Sequence, residues 1–261
     1  MTRKPAVLSL MAHPDDAEIL CGGTLALLAK RGWDVHIASA TPGDCGTPNL
    51  PPEEIAAIRR KEGASAAAVI GASYQCLERR DLRVFYDEDG VRRATALLRR
   101  LQPDVVITHA REDYMLDHEE TSKLARAACF GTPIPNAPIT EQTALPPSAH
   151  IPHLYYADPI EGVDPLGQPV KPHIVVDVSE VIAEKLEMLS KHESQREWLR
   201  EHHGMDEYIE ATRRWSADRG ESVGRAYGEG FRQHLGHGYP QTDVLRETLG
   251  ELVITPGRND K

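Results

Sequence analysis

Short apolar runs alternate with longer amphipathic segments over the first half of the chain. The runs predict strands at Ala6–Ala12, Val35–Ala40, Tyr74–Leu77 and Val105–His109. The segments between them predict helices at Asp16–Arg31, Pro51–Ile70, Gly90–Leu101 and Asp117–Cys129. Nearly continuous apolar strands are expected where both faces of a parallel sheet are covered. The alternation therefore predicts an α/β fold, a Rossmann-like doubly wound and mostly parallel sheet with helices on both faces.

The second half of the chain is less regular. Residues 131–152 carry six prolines without periodicity, which predicts a long loop that is a lid, an oligomer contact or a solvated connector. Further strands are predicted at Leu154–Ala157 and His173–Val178, and a charged, mostly helical C-terminal part at about 179–235. Because neither an internal repeat nor a domain boundary is evident, we expect a single domain over residues 1–261.

The composition narrows the classes of partner. The chain has 261 residues and a formal net charge of −10, which argues against a nucleic acid or an anionic membrane as partner. The four cysteines form no C-x-x-C pair, as is typical of a reducing compartment. The sequence shows neither a targeting segment nor an apolar run long enough to span a bilayer, so we expect a cytoplasmic protein. The chain has 12 histidines, so a metal site built from histidines and carboxylates is compatible with its composition.

The first candidate for chemistry is the segment from His13 to Asp16, directly after the first predicted strand. A histidine and a carboxylate at the carboxyl end of a strand are well placed to bind a metal ion, because α/β sheets bind ligands there. The alternative is a turn in which Asp16 caps the next helix. His203 and Asp206 have the same spacing in a charged helical region, where we interpret them as surface residues.

The second candidate follows the fourth predicted strand, from His109 to His118. In the common strand order 3-2-1-4-5, the first and fourth strands are neighbours and their following loops face one crevice. His118 can therefore meet His13 and Asp16. Three protein ligands with one open position are typical of a catalytic zinc site. The alternative is that His118 is an exposed residue in the first turn of a helix.

The residues Ala12–Gly23 carry a resemblance to a known family. They resemble the A-H-P-D-D-x-E-x-x-x-G-G signature of PIG-L/LmbE-type zinc-dependent N-acetylglucosaminyl deacetylases. Shorter segments resemble later motifs of that family, to about Phe231. These are the R-x-x-E of Arg59–Glu62, the end of H-P-D-H at Asp117–His118, the H-x-[ST]-Q of His192–Gln195 and the Y-A-E-x-F of Tyr227–Phe231.

The resemblance implies a set of roles. It implies that His13, Asp16 and His118 hold Zn²⁺, or another divalent metal ion. It implies that Asp15 is the general base and that Asp117 orients a ligand or an acid. Arg59, Glu62 and His192 are candidate substrate contacts. For Arg59 and Glu62 the alternative is an exposed ion pair on one helix.

One position departs from the family pattern. The first histidine of H-P-D-H, which the family uses as acid or oxyanion donor, is Met115 in this chain. Methionine has neither an acidic proton nor a strong hydrogen-bond donor. Possible replacements are His109, Tyr114 and His192, or the metal ion alone. For His109 and Tyr114 the alternative is a structural role, in which His109 caps the strand and Tyr114 packs.

The resemblance predicts a metal-dependent amide hydrolase that removes acetate from an N-acetylated amino sugar or its conjugate. One alternative is an amidase acting on a thiol conjugate or an antibiotic intermediate. Another alternative is a catalytically impaired relative that binds sugars. In each case we expect a small-molecule N-acetylated ligand and allow for a homo-oligomer.

Overall fold

Four strand–helix units build the first half of the chain. The computed structural model describes residues 3–137, 139, 145–196 and 207–257. The strands are β1 (Ala6–Met11), β2 (Asp34–Ser39), β3 (Ser73–Cys76) and β4 (Val105–Thr108). The helices are α1 (Asp16–Lys30), α2 (Pro52–Val69), α3 (Glu88–Leu101) and α4 (Leu116–Gly131). Each boundary lies within two residues of the predicted one.

Local sequence explains several of these boundaries. Every residue of β1 is buried, as its unbroken apolar run predicts. Helix α2 begins at Pro52, where the fixed φ of proline suits a first helical turn, and acidic residues follow it. Helix α3 is capped by Asp87, whose side chain accepts a hydrogen bond from the Gly90 amide at 2.7 Å. This cap begins α3 two residues before the predicted start.

The second half of the chain extends the same sheet. Its strands are β5 (His153–Ala157), β6 (Ile174–Asp177), β7 (Gly228–Gln233) and β8 (Val253–Ile254). Its helices are α5 (Ile182–Ser190), α6 (Glu207–Glu221) and α7 (Val244–Leu249). The eight strands lie in the order β3-β2-β1-β4-β5-β7-β6-β8. Because β1 pairs in parallel with β2 and β4, and β5 continues in parallel beside β4, the prediction of a doubly wound sheet is confirmed.

The prediction of a helical C-terminal part is wrong at its end, because β7 occupies residues 228–233. This strand lies antiparallel between β5 and β6. Its sequence lacks the alternation of a half-buried strand, and contacts from distant parts of the chain hold it. Glu229 is buried and forms an ion pair with Lys185 on α5 at 2.6 Å. At Gly230 a side chain would overlap the carboxylate of Asp158, so only glycine fits.

Helices cover both faces of the sheet. The core between the sheet, α1 and α2 is separate from the core between the sheet, α3 and α4. Among the helices described here, none is long and apolar enough to cross a membrane. The single domain over residues 1–261 stays a prediction, as do the three roles considered for the loop at 131–152, of which residues 138 and 140–144 lie outside the described residues. His203 and Asp206 lie outside the described residues.

Candidate active site

The segments that follow β1 and β4 meet at one edge of the sheet, as the strand order predicts. A cavity of about 590 Å³ opens there. Its wall includes His13, Asp15 and Asp16 from the β1–α1 turn. It also includes Tyr114 and His118, from the segment that joins β4 to α4 and from the first turn of α4. The carboxyl ends of two adjacent parallel strands thus bring both sequence candidates together.

His13, Asp16 and His118 form a compact cluster at the base of the cavity. One nitrogen or oxygen atom from each residue lies within 4.8 Å of the other two, and all three side chains are nearly buried. The Nδ1 atom of His13 is 3.3 Å from Oδ2 of Asp16. The Nε2 atom of His118 is 3.6 Å from Oδ1 of Asp16. The alternative reading of His118 as an exposed residue is therefore wrong.

The second nitrogen of each histidine ring faces a carboxylate. Nε2 of His13 lies 3.3 Å from Oδ2 of Asp117, which also accepts a hydrogen bond from the Leu82 amide at 2.6 Å. Nδ1 of His118 lies 2.9 Å from Oδ1 of Asp113. If each ring donates to its carboxylate, Nδ1 of His13 and Nε2 of His118 are left as acceptors. Such carboxylate–histidine pairs fix ring orientation at metal sites.

The donor set of this cluster fits a divalent metal ion. It offers two imidazole nitrogens and one carboxylate, and it faces an open cavity. Zn²⁺ is bound in catalytic sites by three such ligands, with the fourth position left for water or substrate. The same donors also suit other first-row divalent ions. The cluster therefore has the composition and the open side that a catalytic metal site requires.

The charged groups of the cluster shift one another's pKa values. Burial alone would lower the pKa of His13, but the hydrogen bonds with Asp117 and Asp16 outweigh it and raise the pKa to about 10. Burial alone would raise the pKa of Asp16, but His118 and His109 hold that pKa well below its usual range. The pKa of His118 is also raised, because Asp16 and Asp113 outweigh its burial.

Asp15 lies beside the cluster in a constrained backbone conformation. Its φ angle is 113°, which is rare for a residue other than glycine. Its Oδ2 atom accepts hydrogen bonds from Arg59 Nη2 at 3.0 Å and from the Tyr208 hydroxyl at 2.5 Å. Burial raises the pKa of Asp15, and the positive charge of Arg59 opposes that shift. The carboxylate therefore has a fixed direction at the cavity wall.

The predicted pair of Arg59 and Glu62 does not form an exposed ion pair. Arg59 is only 4% exposed, and its guanidinium binds Asp15 and the backbone oxygen of Pro14. Glu62 accepts hydrogen bonds from the amide and the hydroxyl of Ser194 at 2.8 and 2.7 Å. Arg59 lines the cavity, whereas Glu62 is absent from its wall.

The three replacements considered for Met115 have different positions. His109 is fully buried, and its ring stacks on that of His118 with the ring centroids 3.9 Å apart. Burial lowers the pKa of His109. His192 is also fully buried, 3.5 Å from Glu18. Neither lines the cavity, whereas Tyr114 does, edge-on to His118 at 5.2 Å. Tyr114 is 66% exposed, so it is not a packed core residue.

Sequence reasoning missed three residues of this site. Asp113 lies five residues before His118 in the segment already singled out, so its position offered a signal. Tyr208 lies on α6, and Asp81 lies on the loop between β3 and α3, where no motif marked them. Asp81 is 7% exposed, and its Oδ1 atom has no hydrogen-bond partner among the described residues. Asp81 and Tyr208 both line the cavity.

The doubly wound sheet and the His/Asp/His cluster at its carboxyl edge define a Rossmann-like protein with a site suited to a metal ion. Residues 8–129 match the profile of the PIG-L family, described as GlcNAc-PI de-N-acetylase. The signature at Ala12–Gly23 lies within this match, so the predicted resemblance to the PIG-L family is confirmed.

Two proteins named as deacetylases are similar to this chain over about three quarters of its length. The chain is 29% identical to the diacetylchitobiose deacetylase of Thermococcus kodakarensis, over 72% of this chain and 69% of that protein. It is 29% identical to a probable N-acetyl-α-D-glucosaminyl L-malate deacetylase of Bacillus cereus, over 75% of this chain and 86% of that protein. The solved structure of N,N'-diacetylchitobiose deacetylase from Pyrococcus horikoshii is similar to this chain, with a TM-score of 0.73 and 29% sequence identity. The structural alignment covers 92% of this chain and 88% of that chain.

One relative has a different kind of activity. The chain is 29% identical to the 4-oxalmesaconate hydratase of Pseudomonas putida, over 49% of this chain. The match spans about half of that protein, 52% of its length. Similarity over this domain alone therefore does not separate deacetylases from a hydratase.

Proposed function

We propose that this chain is a metal-dependent deacetylase that removes the acetyl group from an N-acetylated amino sugar or its conjugate. The observation that carries the proposal is the cluster of His13, Asp16 and His118, which faces a cavity that Asp15 also lines. Two of the relatives described above are deacetylases of such sugars by name, which supports the same reaction. Zn²⁺ is the ion we expect first, because the donor set is typical of catalytic zinc.

The chain's own residues divide the work of hydrolysis. When bound, the metal ion supplies a Lewis acid for the acetamide carbonyl and lowers the pKa of a water molecule. His13, Asp16 and His118 would hold it, and Asp113 and Asp117 would orient the two imidazoles. Asp15 would accept the proton of the attacking water.

A proton must then reach the amine that leaves. Asp15 can pass on the proton that it has taken from water, since it lines the same cavity. Tyr114 is the replacement for the missing acid histidine that the geometry favours. Desolvation of its hydroxyl in the cavity and the negative charges of Asp16 and Asp113 raise the pKa of Tyr114, so the hydroxyl remains a hydrogen-bond donor at neutral pH. We place Tyr114 beside the acetyl oxygen and Met115 as an apolar wall.

Substrate contacts are assigned by access to the cavity. Asp81 has a free carboxylate oxygen there and can accept a hydrogen bond from a sugar hydroxyl. The Nη2 atom of Arg59 donates a hydrogen bond to Asp15, so we propose that Arg59 positions this base. Glu62 and His192 do not line the cavity, and we propose that they position neighbouring segments instead of binding substrate.

We expect metal binding to the apo protein to release protons. The pKa of His13, raised to about 10, means that this ring carries an extra proton near pH 7 when no metal is bound, and the raised pKa of His118 acts in the same direction. The metal must displace those protons, so its apparent affinity should rise with pH between 6 and 8. Calorimetry with Zn²⁺ in buffers of different ionisation enthalpy measures the number released, and we expect between one and two. A value of zero would contradict this charge state.

We expect Asp113→Asn to weaken metal binding by about 10–100-fold, because it removes the carboxylate that fixes the His118 ring. Competition with a chromophoric chelator measures the affinity directly. The matched control is Asp104→Asn, at a partly exposed carboxylate just before β4 and therefore at the opposite end of this strand from the site. An unchanged dissociation constant for Asp113→Asn would show that this contact does not support the ligand.

The test of the proposed function combines metal analysis with product analysis. The purified protein is assayed for bound metal and for acetate release from N-acetylglucosamine and N,N'-diacetylchitobiose, before and after addition of Zn²⁺. Acetate release that depends on metal supports the proposal. Sugar binding without acetate release at any metal concentration would indicate the impaired relative instead.

Hydration of a carbon–carbon double bond is a second candidate, favoured by the similarity to the Pseudomonas putida hydratase. The cavity charges argue against it. Outside the metal cluster, three carboxylates line the wall against two arginines, of which Arg59 is bound to Asp15. A substrate that is itself a polycarboxylate, as in that hydratase, fits such a wall poorly. Incubation with 4-oxalmesaconate and measurement of its ultraviolet absorbance distinguishes the two reactions.

A further inference from the structure

A second cavity of about 300 Å³ adjoins the catalytic cavity. The two share a partition formed by Ile19, Ile160, Glu161 and Trp215. Ile19 lies three residues after Asp16 on α1, so the partition begins about one helical turn, roughly 5 Å, from the metal cluster. A group joined to an acetylated sugar at the cluster is therefore within reach of the second cavity.

Asp158 lines the second cavity and follows β5 directly. It is 9% exposed, and within the described part of the chain neither of its buried carboxylate oxygens has a hydrogen-bond donor. Arg219 Nη2 lies 2.8 Å from Oδ2 as an ion pair, but without the geometry of a hydrogen bond. A buried carboxylate without donors is costly, so a ligand that brings hydroxyl or ammonium donors would be stabilised there.

The remaining charges of the second cavity favour the same kind of ligand. Carboxylates outnumber cations among its lining residues, which include Asp158, Glu161, Lys185, Asp218, Arg219 and Glu229. Both cations are already paired, Lys185 with Glu229 and Arg219 with Asp158. Glu161 and Asp218 have no ion-pair partner in the described ranges. An anionic group would meet uncompensated negative charge in this cavity.

The partition itself holds an unusual backbone. Glu161 has a φ of 62° and Gly162 a φ of 68°, so two successive residues lie in the left-handed region. A side chain at Gly162 would also lie 2.6 Å from the Arg219 guanidinium. A non-glycine residue keeps such a strained conformation only where the surrounding structure holds it. In this conformation Glu161 lines both cavities.

We propose that the second cavity binds the group joined to the acetylated sugar, and that it selects a neutral polyol or an amino sugar over an anion. This inference rests on the proposed deacetylase function. It predicts that a second sugar ring is preferred over malate in that position. Asp158 accepts the hydrogen bonds, and Glu161 contributes the repulsion of anions.

The test compares kcat/KM for N-acetylglucosamine, N,N'-diacetylchitobiose and N-acetylglucosaminyl malate. We expect the wild type to favour the disaccharide over the malate conjugate at least tenfold. Asp158→Asn should lower kcat/KM for the disaccharide about tenfold relative to the monosaccharide, because it replaces charge-assisted hydrogen bonds with neutral ones. Glu161→Lys should raise kcat/KM for the malate conjugate about tenfold. The matched control is Asp34→Asn, at an exposed carboxylate that begins β2, at the end of the sheet opposite the two cavities.

The outcomes separate the inference from the proposed function. A wild-type preference for malate, or equal substrate ratios in the wild type and both variants, would overturn the subsite. Because Asp158 is buried, melting curves accompany each variant, and the exposed Glu161 provides the test if Asp158→Asn does not fold. If no substrate releases acetate, the deacetylase function fails. Calorimetry with the same three compounds then decides whether the cavity still binds the disaccharide through Asp158.

Discussion

Replacing Asp15 with asparagine should lower kcat by about 10²–10⁴-fold while the metal content stays unchanged. Asparagine keeps the size of the side chain and tolerates a positive φ, so the turn at 113° survives the exchange. Its amide still accepts hydrogen bonds from Arg59 and Tyr208, but it no longer takes a proton from water. The loss should therefore be in chemistry and not in folding.

Three measurements make this prediction decisive. Metal analysis shows that the ligands are intact, a melting curve shows that the fold is intact, and steady-state acetate release gives kcat and KM separately. We expect KM to change by less than kcat, because a general base acts in the transition state. Asp34→Asn, a carboxylate in a surface ion pair with Lys4, controls for the loss of one negative charge. Full turnover by Asp15→Asn would remove Asp15 from the base role.

The sheet shows how much of the fold the sequence predicts. Strands β1 and β4 were predictable because both of their faces are buried. A strand buried on both faces consists almost entirely of apolar residues, which the local sequence shows directly. Strand β7 was not, because Glu229 becomes a buried residue only through Lys185 on α5 and through amides of α1. A local sequence pattern therefore predicts strands whose residues are apolar and buried. It misses a strand such as β7, whose polar residues are buried through partners far away in the sequence.

The site divides along the same line. His13, Asp16 and His118 could be brought together from the sequence, because strand order alone places the ends of β1 and β4 side by side. Tyr208 could not, since its approach to Asp15 spans 193 positions and depends on how α6 lies over the sheet. The inward direction of Arg59 was also hidden, because a helix pattern does not state which face a charged residue occupies.

Removing the metal should abolish acetate release, and adding Zn²⁺ to the stripped protein should restore it. In the apo protein the contacts of His13 with Asp16 and Asp117 hold the ligands in place, so the cluster survives chelation and can be refilled. His118→Ala should lose both the tightly bound metal and its restoration, because two remaining ligands rarely hold a catalytic ion. We expect activity to fall below detection, which is a larger loss than for Asp15→Asn.

A control separates this effect from a general loss of histidine. His150→Ala changes a half-exposed histidine that lies at the surface, 3.5 Å from Asp104, and it should keep both metal and activity. Circular dichroism tests whether His118→Ala keeps its fold, because the ring is nearly buried and stacks on His109. If His118→Ala turned over substrate in chelator-treated buffer, a metal-free reaction would have to start from Asp15. In that case the positions of Asp113 and Asp117 behind the two histidines would need another explanation.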